Sequence, residues 1–224
     1  MALSKPQIDS LFAFTEKKLV RYYDLQVELV DHLANKIEDE MQENTNTNFE
    51  DALAKIYATF GIFGFARIVR EKEEQVRRFN NKLWFTEFKN LFVWPNLLRS
   101  ICVFLIIKLL TDLVKVEYII GFFLIAVFVE FAIKVFITKV REKKAKTLLL
   151  TNFIFVPNFI TYLCFQFLLQ VWTSNLANNF LEEHKLLVTI IITLIALCYL
   201  ASIKVIQKVY KTAKNLYPEA FLIA

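Results

Sequence analysis

The stretch "FFLIAVFVEFAIKVF", residues 122–136, decides the fold. It is apolar around its whole circumference, with only Glu130 and Lys134 to interrupt it. A surface helix of a soluble protein carries one apolar stripe and one polar face, whereas an all-round apolar helix belongs in a large core or in lipid. The stretch sits inside a longer run, Tyr118–Thr138, that is long enough to cross the hydrocarbon of a bilayer. Three more runs meet the same length, Leu97–Val114, Leu148–Trp172 and Leu186–Ile206. Composition agrees: 56% of the residues are apolar, 23 are Phe and only 3 are Gly, with mean hydropathy +0.43. Soluble domains lie nearer 45–50% apolar, so the excess marks lipid-facing surface.

Charge sets the orientation. Residues 1–92 carry 13 Lys/Arg and 15 Asp/Glu, a balance of −2, and residues 93–224 carry 14 and 7, a balance of +7. The positive charge borders the apolar runs, which assigns it to membrane topology and not to nucleic acid. Basic residues precede the first run, fill "KVREKKAK" at 139–146 and follow the fourth run as Lys208, Lys211 and Lys214. The other two connections lack this excess. The alternation predicts a multi-pass membrane protein with both termini cytoplasmic. Met1–Val20 holds five charges and no long apolar core, so no cleaved leader is expected there. Trp84, Trp94 and Trp172 fall near the expected interfaces.

Outward toward the N-terminus the pattern changes. "DLQVELVDHLANKIEDEM", residues 24–41, repeats Leu25, Leu29, Leu33, Ile37 and Met41 every four residues, an amphipathic helix with Asp24 as its expected N-cap. Ser4-Lys5-Pro6-Gln7 and Thr47-Asn48-Phe49-Glu50 are expected capping boxes for a helix before it and a helix after it. The first is expected to run to about Val20, and Gly61 to end the third. The predicted fold is all-α, an N-terminal cytoplasmic three-helix domain followed by a four-helix transmembrane bundle. The expected boundaries are 1–62 for the head and 63–94 for a charged connector ending in an interfacial aromatic helix. The bundle then covers 95–214 and a cytoplasmic tail 215–224.

The chemistry-bearing residues form two sets. The acidic face of the second helix, Glu28, Asp31, His32, Glu38, Asp39 and Glu40, is the candidate docking face for a protein partner. Glu28 and His32 share a face and could begin a metal site, but no third ligand is identifiable and a surface histidine bonded to Glu28 or Asp31 is the preferred reading. The second set is an intramembrane polar network: Lys108, Glu130, Lys134, Asn158, Tyr162, Gln166 and Gln170. Lys108 and Glu130 fall at similar depths and could pair, while Glu130 and Lys134 are four residues apart on one helix. Asn158, Tyr162, Gln166 and Gln170 recur every four residues, a stripe suited to interhelical hydrogen bonds, with Thr189 and Thr193 as candidate partners. A structural salt bridge and polar glue are preferred to an ion pathway, because a relay needs further ionisable groups along its route.

Cys102, Cys164 and Cys198 are scattered through apolar runs, giving neither a metal spacing nor a disulfide framework. No phosphate-binding glycine loop, nucleophile elbow or zinc motif is present, so no enzyme activity, cofactor or metal is expected.

Two N-terminal stretches, "YYDLQVELVDHLANKIEDE" and "NFEDALAKIYATFGIFGFA", together resemble the HAAS signalling domain. That module precedes membrane helices in bacterial proteins associated with PadR-type regulators or transporters. The matching positions are Glu28, Leu29, Asp31, His32, Leu33, Glu50, Ala52, Leu53, Phe60 and Gly61, within residues 15–70. The resemblance implies a cytoplasmic interaction module without catalytic residues. The expected function is therefore docking and regulation or assembly of a protein partner at the membrane, with the lipid bilayer as second partner and a homo-oligomer possible. A transport subunit using the bundle's polar residues, or an accessory subunit of a larger membrane complex, is the alternative.

Overall fold

The computed structural model describes residues 2–122, 124–126, 128–129, 146–152, 166, 169–170 and 183–221, and among them every regular element is helical. The helices are α1 (Lys5–Lys17), α2 (Tyr23–Glu43), α3 (Phe49–Ala58), α4 (Ala66–Asn90), α5 (Asn96–Leu113), α6 (Val116–Ala126), the turn α7 (Leu149–Asn152) and α8 (Lys185–Leu216), followed by a 3-10 turn at Pro218–Phe221. The chain divides into two units. The first comprises Met1–Arg77, Ala145–Phe153 and Thr212–Ala224, and the second Arg78–Lys144 and Ile154–Lys211. The head thus extends past the expected boundary at 62 and takes in two distant segments of the chain. The expected charged connector and interfacial helix are one continuous helix, α4.

The first unit closes on the stripe read from α2. Leu25, Leu29, Val30, Leu33, Ala34 and Ile37 are buried with Leu11 and Val20 before them and Ala52, Ile56 and Phe65 after them. None of these short helices is stable alone in water, so the shared core supplies the stability. Phe14, Tyr57, Phe60 and Phe65 add an aromatic cluster with centroids 5.0–6.3 Å apart, in which every contacting pair but the tilted Tyr57–Phe60 is edge-to-face.

The helix ends refine the expected caps. Ser4 and Gln7 form the expected box, the Gln7 carboxamide oxygen accepting from Ser4 N at 2.8 Å. Asn48, one residue later than expected, caps α3: its Oδ1 accepts from Asp51 N at 2.8 Å while its Nδ2 donates to the Asp51 carboxylate at 2.8 Å. The carboxamide accepts through its oxygen and donates through its nitrogen, so Asn48 and Asp51 are tied twice. α1 ends at Lys17, short of Val20. Leu19 takes φ 66°, letting Val20 N reach Thr15 O at 3.1 Å and Leu19 N reach Glu16 O at 2.9 Å, a Schellman ending with leucine where glycine is usual. Gly61 follows α3 at φ 70°, as its position predicts.

In the second unit, Val116, Ile120 and Leu124 of α6 pack on Val188 and Ile192 of α8. The Thr111 and Thr189 hydroxyls, buried, meet at 2.9 Å and join α5 to α8. The last half of α4 turns one face inward. Asn80, Trp84, Glu87 and Leu91, spaced as one helical face, are all buried. The Trp84 indole donates to Ser202 Oγ at 3.1 Å, and the Glu87 carboxylate pairs with Lys208. Trp84 therefore faces protein and not an interface, because its N–H finds a partner there. Trp94 is exposed, and Trp172 lies outside the described residues.

α8, at 32 residues, is long and apolar enough to cross a membrane. α5 spans 18 residues but carries Arg99, Lys108 and Asp112. The head core makes a direct prediction. Leu33 is fully buried at the centre of α2. Leu33→Ala should cost about 2–5 kcal/mol, read as a lower denaturant midpoint for the detergent-solubilised chain and new proteolytic cleavage within residues 1–77.

Candidate functional site

The acidic face of α2 splits into two groups. Glu28 pairs with Lys72 of α4. Glu38 Oε1 accepts from Leu3 N at 2.9 Å, clasping the N-terminal segment. Glu40 Oε1 accepts from Lys55 Nζ at 2.7 Å and from Asn44 Nδ2 at 2.6 Å. These contacts hold the Glu40 carboxyl below its usual range, with the Lys55 hydrogen bond the largest cause and the Asn44 hydrogen bond next. Three of the six candidate residues thus hold the head together. Asp31, His32 and Asp39 are exposed, and Asp31, Asn35 and Asp39 fall at four-residue steps along one solvent-facing stripe. Among the described residues no three His, Cys, Asp or Glu side chains come together as a metal site.

A second constellation lies at the N-terminal end of α2, where residues far apart in the chain meet. Asp24 is not the N-cap of its own helix: Tyr22 occupies that position and Asp24 lies in the first turn. Its carboxylate, buried, instead accepts from the backbone of α7, Oδ1 from Leu149 N at 2.9 Å and Oδ2 from Leu150 N at 3.0 Å. Oδ1 also accepts from Leu25 N at 3.1 Å. A carboxylate at the open amides of a helical turn satisfies donors that have no partner within the turn, and it meets the positive end of the peptide dipoles.

Backbone bonds reinforce the junction. Tyr23 N donates to Thr147 O at 2.9 Å, and the Thr147 hydroxyl donates to Arg21 O at 3.1 Å. Asn152 Nδ2 donates to the Tyr22 hydroxyl at 3.0 Å. The Lys146 ammonium stands 3.8 Å from the Tyr23 ring centroid, a cation–π contact. From the far end of the chain, Ala213 and Ala220 pack with Tyr23 and Leu148, and the Tyr23 hydroxyl donates to Glu219 Oε2 at 2.7 Å.

The junction shifts its phenols further from ionisation. Burial, then the Glu219 hydrogen bond and charge, push the Tyr23 hydroxyl up to about 12. Burial raises Tyr22, and burial followed by the charges of Asp24 and Glu28 raises Tyr217.

Of the intramembrane set, Lys108 binds both carboxylate oxygens of Asp112 on its own helix, at 2.6 and 2.8 Å. Asp112 is not among the expected network residues, although its i,i+4 spacing from Lys108 is legible in the sequence. Gln166 and Gln170 are helical and exposed. Glu130, Lys134, Asn158 and Tyr162 lie outside the described residues, so the expected Lys108–Glu130 pair does too. Thr189 meets Thr111 of α5, and Thr193 Oγ1 donates to Thr189 O at 2.7 Å.

No family model, curated protein or solved structure matches the chain.

Two outcomes test the junction. Asp24→Ala leaves the Leu149 and Leu150 amides without acceptors; an unmade buried bond costs about 1–3 kcal/mol, so hydrogen exchange at 147–152 should accelerate roughly tenfold or more. For Tyr23 the folded-state value lies above its ordinary 10.0. The stability it contributes is therefore full below pH about 10 and is lost as pH rises through about 12, when tyrosinate faces Glu219. An alkaline titration should show this late step in the native chain and lack it in Tyr23→Phe.

Proposed function

We propose that the chain is a non-enzymatic, multi-pass protein of the bacterial inner membrane whose cytoplasmic head docks a protein partner and regulates or assembles it there. The observation that carries the reading is the Asp24 junction. Residues 21–24, 146–152 and 213–221 meet within one unit. The chain between the first two of these segments leaves and returns, and so does the chain between the last two. In a membrane each excursion must cross an even number of times. Two apolar runs lie in the first excursion, 97–114 and 118–138, and most of one run and all of another lie in the second, 148–172 and 186–206. A four-span bundle with both termini on one side satisfies this count. The basic residues at 139–146 and at Lys208, Lys211 and Lys214 favour the cytoplasm as that side.

The resemblance of residues 15–70 to the HAAS signalling domain supports docking as the output. So does the acidic stripe. Asp31, His32 and Asp39 are held on a helix whose apolar face is locked into the head core, a rigid platform for basic side chains of a partner. Rim charges of this kind set encounter and specificity more than bulk affinity.

The test is co-purification in mild detergent after crosslinking in intact membranes. A specific protein should accompany the native chain, and Asp31→Lys/Asp39→Lys should reduce its recovery at least tenfold. These exposed substitutions should leave head stability within about 0.5 kcal/mol. Equal recovery with both chains, or none with either, overturns the docking role.

A further inference from the structure

The head carries an apolar projection that its core does not absorb. Gly61 N–H follows α3, and Gly64 N donates to Gly61 O at 3.1 Å, so Ile62 and Phe63 are the two corner residues of a closed turn. Ile62 is 95% exposed and Phe63 72%. Gly61 and Gly64 both take positive φ, 70° and 49°. A Cβ on Gly64 would stand 2.3 Å from the Tyr57 hydroxyl, so the turn lies close against Tyr57, and Phe65 behind it is 1% exposed. Two of the chain's three glycines are spent on holding two large apolar side chains in the open.

A third exposed apolar side chain lies at the end of α1. Lys18 Nζ lies 4.4 Å from the Tyr57 ring centroid, which places the end of α1 on the same corner of the head as the turn. The next residue, Leu19, is held in the left-handed region and is 75% exposed. The charges change sign at this corner. Residues 1–77 carry 10 Lys/Arg and 14 Asp/Glu, an acidic balance of −4. The stretches that flank the projection, 16–21 and 65–71, carry Lys17, Lys18, Arg21, Arg67 and Arg70 against Glu16 and Glu71.

We propose that this corner, Leu19, Ile62 and Phe63 ringed by Lys17, Lys18, Arg67 and Arg70, is a membrane-contact site that inserts into the interface of a bilayer containing anionic lipid. Apolar side chains entering the acyl boundary with basic residues at headgroup level are the physical requirements of such a site. An acidic protein head approaches an anionic surface best through a corner with a basic excess. The occupant is also at hand: α8, long and apolar enough to cross a membrane, ends in the same unit as the turn. A tethered head meets the surface at high effective concentration, so a modest patch suffices. The inference rests on the membrane placement proposed above.

The full chain, with Cys102, Cys164 and Cys198 replaced by alanine, is reconstituted in vesicles of phosphatidylcholine and phosphatidylglycerol at 3:1. Nitroxide labels are placed singly through Phe63→Cys, Asp39→Cys and Leu194→Cys. Collision with oxygen, which concentrates in lipid, is compared with collision with a water-soluble nickel chelate. The label at 63 should favour oxygen over nickel at least fivefold more than the label at 39, and should lose most of that preference in pure phosphatidylcholine. A label introduced by Leu19→Cys should behave the same way, and Ile62→Glu/Phe63→Glu should return it to water. A label at 63 that matches 39 while 194 reads as lipid overturns the contact site and leaves the membrane reading standing. A water-exposed label at 194 overturns both. A label at 63 shielded from both reagents assigns the corner to a protein contact, which also overturns the proposal.

Discussion

The buried carboxylate of Asp24 is the interaction on which the arrangement of the chain depends. It accepts from Leu149 N and Leu150 N, 125 and 126 residues away in sequence. Without it, a helical turn would begin beside the α2 core with open amides and no acceptor. Once that contact is made, the chain from 78 to 144 has to return to where it started. The packing of Ala213 and Ala220 on Tyr23 and Leu148 places the same demand on the chain from 154 to 211. One carboxylate and three tyrosines thus tie together segments that the apolar runs separate.

Four polar pairs stand out among the described residues of the second unit. Lys108 is matched to Asp112, Glu87 to Lys208, Thr111 to Thr189 and Trp84 to Ser202. A buried donor or charge without a partner is costly, and Trp84, Glu87, Thr111 and Thr189, all buried, each meet one on a neighbouring helix. The Glu87–Lys208 pair is instructive because the carboxylate is buried while the lysine side chain is 58% exposed. The buried acid gains a counter-charge and the lysine keeps part of its hydration.

The head was legible where local physics dominates. The four-residue apolar repeat of α2 identified Leu25, Leu29, Leu33 and Ile37 as core, and all four are buried. The Ser4–Gln7 box and the Gly61 ending depend on neighbours within four residues, and both formed as read. The α3 cap was read one residue early, because Thr47 and Asn48 are both good caps and only the Asn48–Asp51 exchange distinguishes them. The acidic face was legible as acidic. Its division into Glu28, Glu38 and Glu40, which serve the head, and Asp31, His32 and Asp39, which remain open, depends on Lys72, Leu3 and Lys55 approaching from other elements.

By itself the sequence determined the helices of the described residues, an amphipathic N-terminal head and a long apolar helix near the end, because helical periodicity and unbroken apolar length are local properties of consecutive residues. Only the tertiary structure decided that the head is assembled from three separate segments, that Asp24 caps a distant turn and that Trp84 faces protein. Those outcomes depend on which unsatisfied amides, rings and carboxylates meet across large sequence separations. A carboxylate at a helix start looks the same in sequence whether it caps its own helix or another, and only the partner's arrival settles which open donors it satisfies.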